Sequence, residues 1–366
     1  MTKNPTIETI LDLYDDGVRN IILYGPPGTG KTYTITGKDM LLSKLAEKTI
    51  EATEPSGFED ILQLRYEYSN RMQSEVNQAV EGAAEEAAEE EVRCQDDEKE
   101  SFHSKSGDPW EFSKLEGGEW QSKIHYEILQ FHASYDYSDF MMGVAFEKGG
   151  SLTNEFKILY RFAMCATLNP SRLHVLHIDE INRGNVARIF GEALMAMEKR
   201  NFPVTLRDGT WFTMPDNLLI IGTMNSADHH IQPMDQALRR RFCFVPLLPM
   251  DADKVDWISP GKPREESPAK QLYSEVLKEF KLEEDDALWN TNFNGLDLRE
   301  FAIGPSFFKL GENVEDTWHN VVEFNWKPKV KPQLSEYEKE GIVSSGTVAK
   351  IEAWIKEQNE TISSDD

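Results

Sequence analysis

The sequence predicts an α/β fold: a central parallel sheet flanked by helices, followed by a smaller, mainly helical lid. Three stretches predict it. "NIILYGPPGTGKTY" reads as an apolar strand, a glycine-proline loop and a helix opening at the lysine, while "LHVLHIDE" and "LLIIGTMN" are short apolar runs that stop at polar residues. Strands that are apolar along their whole length have helices on both faces, as in parallel sheets. Ligands of such sheets bind just beyond the carboxyl ends of the strands. The division is placed at residue 250, with 1–250 as the α/β domain and 251–366 as the helical lid and tail.

Each element follows from its local pattern. A first helix over roughly Ile7 to Tyr14 leads through "DDGVRN" into the strand before Gly25, and a second helix opens at Lys31. From about Glu51 to Trp120 the chain turns polar, and "EGAAEEAAEEEVRCQDDEKE" sets ten acids against two bases. Such a run has little to bury, so it is read as an insertion, partly helical or disordered. Sheet residues resume in "KIHYEILQFHASYDYSDFMMG", an alternating strand followed by an aromatic-rich turn. After "LHVLHIDE", the stretch "NVARIFGEALMAMEKR" carries Val186, Ile189, Phe190, Ala193, Leu194 and Met197 at helical spacing. "FPVTLRDGTWFTMP" then pairs two short strands across an Asp208-Gly209 turn. Beyond "RRRFCFVPLLPM" the stretch "DWISPGKPREESPAK" reads as a linker, and "PAKQLYSEVLKEF" and "VAKIEAWIKEQNE" as helices.

Bulk properties narrow the class. A chain of 366 residues, 39% hydrophobic, can bury a full core. No apolar run approaches the roughly 18 residues of a membrane span, and "MTKNPTIETI" has neither a basic nor an apolar leader region, so a cytoplasmic protein with no membrane partner is expected. Cys94, Cys165 and Cys243 are scattered, without a CxxC pair, and suggest neither disulfides nor a zinc site. A formal charge of −25 argues against a chain that wraps duplex DNA by itself. A local basic patch or pore is compatible with it.

The chemistry resides at three strand ends and one basic cluster. Gly25-Pro26-Pro27-Gly28-Thr29-Gly30-Lys31-Thr32, followed by Tyr33, satisfies GxxxxGK[ST] between a strand and a helix. Its glycines let backbone N–H groups curl around phosphates, Lys31 supplies charge to the β- and γ-phosphates, and Thr32 offers a hydroxyl to Mg²⁺. Asp179 ends an apolar strand, suited to holding magnesium through water, and Glu180 beside it can orient and deprotonate an attacking water. Asn225, ending another such strand, is suited to holding that water or the γ-phosphate. Asp228 is better placed for a neighbouring subunit than for nucleotide. Arg239, Arg240 and Arg241 stand where a helix ends; they could answer the helix dipole, or stabilise the transferring phosphoryl group of the next protomer's site, worth about 10³ to 10⁵ in rate. His174, His177, His229 and His230 form no convincing ligand set.

As a set, "NIILYGPPGTGKTY", "FHASYDYSDFMMG", "HIDEINRGNVARIFGEALMAMEK", "IIGTMNSADHHIQPMDQALRRRF" and "FAIGPSFF" resemble the AAA+ module of the McrB family, over roughly residues 19–39 and 124–340. The late pattern at Trp326, Pro332, Leu334, Glu336 and Tyr337 belongs to the likeness. MoxR-type AAA+ proteins share the DEINR piece, but the MNxxD loop, the FHxSYxYxDF segment and LRRRF favour the McrB branch. The resemblance implies an AAA+ P-loop NTPase fold with a helical lid, hydrolysis of ATP or GTP with Mg²⁺, and a nucleotide-dependent homo-oligomeric ring, taken as a hexamer. It also implies a McrC-like nuclease or other effector chain as partner, with DNA met indirectly or through the assembled ring. By motif, Lys31 and Thr32 are P-loop residues, Asp179 and Glu180 the magnesium and catalytic acids, Asn225 the sensor, Arg240 or Arg241 the trans-acting finger, and Asp228 with His229 the partner-coupling pair.

Three features depart from the family pattern. His229 follows Asp228 where arginine is usual, so coupling to a partner could depend on pH. Pro305 stands where the lid's "IGHSYF" has histidine. With the P-loop at Gly25, target recognition is expected on another chain. The alternatives are a MoxR-like protein-remodelling ATPase and a nucleotide-gated assembly scaffold with little turnover.

Overall fold

The computed structural model describes residues 5–37, 40–49, 124–146, 152–227, 236–250, 255, 258, 262–280, 298–311 and 314–363. The acidic insertion at about 51–120, Asp228 and His229 lie outside them. The sheet has five parallel strands: β1 (Asn20–Gly25), β2 (Ile124–Gln130), β5 (Leu173–Asp179), β8 (Leu218–Asn225) and β9 (Cys243–Pro246), in the order β2-β5-β8-β1-β9. This is the predicted α/β architecture.

Burial explains why those apolar runs become central strands. Ile21 and Leu23 of β1 face a core shared with Val175, Leu219 and Ile221. Ile22 turns the other way, into a core with Leu176, Ile178, Leu218 and Ile220. The first face is covered by α1 (Pro5–Asp15), α2 (Lys31–Thr36) and α3 (Leu41–Thr49), through Ile7, Ile10, Ile35, Leu41 and Leu45. The second is covered by residues 137–142, 158–168 and 181–197, including Phe140, Leu159, Phe162 and Phe190. A side-chain period of two with both faces apolar is what a doubly covered sheet requires.

Two details differ from the sequence expectation. The stretch after "LHVLHIDE" forms two short helices, Val186–Phe190 and Ala193–Glu198, broken at Gly191 (φ 50°). A Cβ on Gly191 would lie 2.7 Å from the Tyr137 ring, so close packing against the aromatic segment selects the break. The aromatic turn is itself helical over Tyr137–Phe140, capped by Asp136 through a reciprocal bond with Asp139, and opens an antiparallel hairpin of β3 (Met142–Phe146) and β4 (Leu152–Phe156). The predicted second hairpin is present as β6 (Val204–Thr205) and β7 (Trp211–Phe212), with Gly209 at φ 90° and Asp208 accepting from the Thr210 N–H.

The C-terminal residues have their own apolar cluster, centred on Tyr273, Phe280, Phe301, Phe308, Trp326, Val330 and Leu334. Helices Pro268–Lys278, Lys331–Lys339 and Thr347–Ser363 frame it, with a π-helical stretch over Val322–Val330 that accommodates Pro328. Asn325, fully buried in that stretch, donates to the Phe307 and Lys309 carbonyls at 2.8 and 3.2 Å and thereby holds the 3₁₀ turn Pro305–Phe308. Pro305 occupies the first position of that turn, where its fixed φ fits and no N–H is needed.

Candidate functional site

Parallel pairing brings the three polar strand ends to one edge. Gly25 of β1 is the register partner of Asn225 of β8, and Ile178 of β5 pairs with Gly222, which sets Asp179 beside Thr223. With adjacent strands about 4.8 Å apart, the loop opening, Asn225 and the acidic pair fall within roughly 10 Å across the sheet.

The loop is shaped by residues that lack or tuck in their side chains. Gly28 and Gly30 have φ of 79° and 85°, the left-handed region that glycine enters without penalty. Thr29 is buried, its hydroxyl donating to the Pro26 carbonyl at 3.0 Å. Lys31 Nζ donates to the Gly25 and Pro26 carbonyls, both at 3.0 Å, so the ammonium sits over the mouth of the loop. Thr32 and Tyr33 are exposed at the start of α2.

The acidic pair is held on the neighbouring strands. Thr223 Oγ1 donates to Asp179 Oδ1. Glu180 adopts a left-handed backbone (φ 51°, ψ 44°), rare for a residue with a side chain. Its Oε1 accepts from Asn225 Nδ2 at 2.6 Å and its Oε2 lies 3.3 Å from Arg183 Nε. Only 16% of that carboxylate's side chain is exposed. The turn therefore aims Glu180 at Asn225 rather than along the strand. Asp179 and Thr32 are hard oxygen donors, and no cluster of three or more His, Cys, Asp or Glu able to hold a metal occurs among the described residues. One carboxylate, one hydroxyl and phosphate oxygens suit Mg²⁺, which keeps several waters.

The arginines lie elsewhere. Because Ile21 pairs with Cys243, residues 239–242 precede β9 at the amino edge of the sheet, and Asn20 donates to the Arg241 carbonyl at 3.2 Å. The length of β1, about 17 Å at 3.3 Å per residue, separates them from the loop of their own chain. His174 and His177 are core residues of β5: burial lowers their pKa values to about 3 and about 4, and Tyr126 Oη bonds His177 Nδ1 at 2.8 Å.

A contact absent from the sequence reading joins the C-terminal cluster to the loop. Gly304 N donates to the Pro27 carbonyl at 3.0 Å and Ser306 N to the Gly28 carbonyl at 3.1 Å. Ser226, one residue past Asn225, donates to the Glu300 carbonyl at 2.6 Å. "GPPG" and "IGPSFF" are 276 positions apart from Gly28 to Gly304, and no spacing rule links them.

Residues 121–242 match the AAA domain of the dynein-related subfamily. The chain is 41% identical over 130 residues to the type IV methyl-directed restriction enzyme EcoKMcrB subunit of Escherichia coli K12, a match covering 33% of this chain and 28% of that one. The chain carries a McrB-like AAA domain. It is also 33% identical over 87 residues to the type II restriction enzyme BsuMI component YdiS of Bacillus subtilis 168, covering 19% of this chain and 25% of that one. The chain thus spans about a quarter of the length of each relative, 28% and 25%. A solved structure of a Cytophaga hutchinsonii protein aligns with 15% identity over 56% of this chain and 45% of its own, at a TM-score of 0.27 that bears no weight. The matched segment starts after the P-loop, but β1 lies between β8 and β9 in one sheet and brings the loop to the AAA domain's acidic pair. No helix among the described residues is long and apolar enough to cross a membrane.

Proposed function

We propose that the chain is the nucleoside triphosphate-hydrolysing motor of a McrB-type system. In this reading Lys31 leaves the Gly25 and Pro26 carbonyls to bind the β- and γ-phosphates, while the backbone N–H groups of Gly28 to Lys31 surround them. Glu180 takes the proton of the attacking water, and Asn225 keeps both the carboxylate and that water in line. Asp179 and Thr32 would hold Mg²⁺, which supplies charge neutralisation at the phosphates. The observation that carries the reading is the 2.6 Å Asn225–Glu180 bond, one strand spacing from the start of the P-loop.

The subunits are proposed to form a nucleotide-dependent ring, taken as a hexamer, in which Arg240 or Arg241 reaches the next subunit's site. Support comes from the separation of these arginines from the loop of their own chain. A role in prokaryotic defence or DNA processing is supported by similarity to the two restriction components; a McrC-like nuclease partner, contact with DNA through the ring and a cytoplasmic location are proposed with it. Asp228 and His229 are proposed to couple to that partner.

Phosphate release with ATP and, separately, GTP, with and without EDTA, tests the proposal and names the fuel. The reading predicts EDTA-sensitive turnover with one or both nucleotides and a nucleotide-dependent rise in mass by light scattering. Tight nucleotide binding and assembly without release would instead fit a nucleotide-gated scaffold.

A further inference from the structure

We propose that Glu198 is the positioning residue of the trans-acting arginine, and that Arg240 rather than Arg241 is the arginine it presents. This rests on the ring reading above.

Glu198 ends the short helix Ala193–Glu198, which is anchored in the core by Ala193, Ala196 and Met197. Its two oxygens grip two successive arginines: Oε1 lies 3.2 Å from Arg240 Nε and Oε2 lies 3.0 Å from Arg241 Nη2. The arginines differ in what else holds them. Arg241 has an 11% exposed side chain, donates through Nε to the Leu194 carbonyl at 2.9 Å, and its own carbonyl accepts from Asn20. Asn20 in turn accepts from Arg200 at 2.6 Å, which ties this mount to the sheet. Arg241 is committed within its own subunit.

Arg240 has a 64% exposed side chain, and Glu198 meets it at Nε, the nitrogen nearest the backbone. A guanidinium carries four further N–H donors on its distal nitrogens. That suits a presented group: the side chain is restrained at Nε while most of it stays exposed. An exposed arginine otherwise loses substantial rotamer freedom when it docks, and a restraint supplied beforehand lowers that cost. A plain surface ion pair of this exposure would contribute little to stability, so the proposal predicts an effect on turnover in the neighbouring site and little on folding.

Mixed assemblies separate the two roles. Glu180→Gln subunits have a dead site and an intact arginine; Arg240→Ala subunits have an intact site and no arginine. The ring reading predicts that each is nearly inactive alone and that mixing restores phosphate release. Adding Glu198→Gln to the Glu180→Gln subunit, which donates the arginine, is expected to reduce the restored rate by about 10-fold or more, the scale of misplacing a catalytic group. Adding it to the Arg240→Ala subunit is expected to leave the restored rate within about twofold, whereas a folding role would lower both arms alike.

Equal loss in both arms, or no loss in the donor arm, overturns the role of Glu198. An Arg240→Ala protein that turns over normally by itself overturns the choice of Arg240. No restoration from the first pair, or no turnover by the unmodified protein, refutes the trans-arginine reading and the proposal with it.

Discussion

Substituting Gly304 by alanine tests the link between the C-terminal cluster and the P-loop. A Cβ built on Gly304 would lie 2.1 Å from the Gly28 carbon, 2.4 Å from its oxygen and 2.4 Å from the Thr29 nitrogen, all backbone atoms. None can swing aside as a side-chain tip could. The loop is fixed behind them by Gly25, whose own Cβ would meet the Leu247 carbonyl oxygen at 2.2 Å. The segment at 303–308 must therefore lift, losing the bonds from Gly304 N to Pro27 and Ser306 N to Gly28. At about 0.5 to 1.5 kcal/mol each, that is about 1 to 3 kcal/mol of docking free energy, or roughly 5- to 150-fold in the docked population at 1.4 kcal/mol per decade. Hydrogen exchange on peptides spanning 298–311 reads this directly. The Gly304→Ala protein should lose protection there by about that factor while β5 and β8 keep theirs. Unchanged exchange in 298–311 would refute the claim that this segment is seated on the loop.

Other predictions concern the carboxylate and the buried imidazoles. Asn225→Ala removes a hydrogen bond to a charged group, worth about 1.5 to 3 kcal/mol; turnover should fall roughly 10- to 100-fold with nucleotide affinity changed by only a few-fold, and an equal loss of affinity would count against a sensor. His174 and His177 have folded pKa values below the ordinary value of 6.5 because burial disfavours the cation. The unfolded chain therefore binds protons first. Their contribution is complete above about pH 6.5 and falls as pH drops toward 4, by up to about 1.4 kcal/mol per pH unit for each. Melting temperature should decline between pH 7 and pH 5, above the range where ordinary carboxylates protonate, and imidazole NMR signals titrating near pH 6.5 would show the rings to be solvated.

The parts of the fold legible in the sequence were those dictated over short range. An apolar run needs cover on both faces, so β1, β5 and β8 could be read directly, and the glycine loop between strand and helix carried its own geometry. Asp208-Gly209 signalled a hairpin because glycine supplies the positive φ such a turn needs, as Gly209 does at 90°. The break at Gly191 was hidden because its cause is the Tyr137 ring, some fifty residues earlier. Strand β9 follows a basic cluster and has only four residues, too few for a periodicity. Within the site, residue types named Lys31, Asp179, Glu180 and Asn225, but neither the left-handed turn that aims Glu180 at Asn225 nor the grip of Glu198 on two arginines leaves a local pattern. The seating of Gly304 on Gly28 is a tertiary contact of the same kind.

The most direct test of the account measures binding and hydrolysis on one preparation of Glu180→Gln beside the unmodified protein. Isosteric replacement removes the base but retains an amide that can still meet Asn225. The account predicts a nucleotide dissociation constant within a few-fold of the unmodified protein and a turnover reduced by about 10² or more, the scale of losing a general base. Turnover that survives the substitution would contradict the assignment of Glu180 as the residue that activates water.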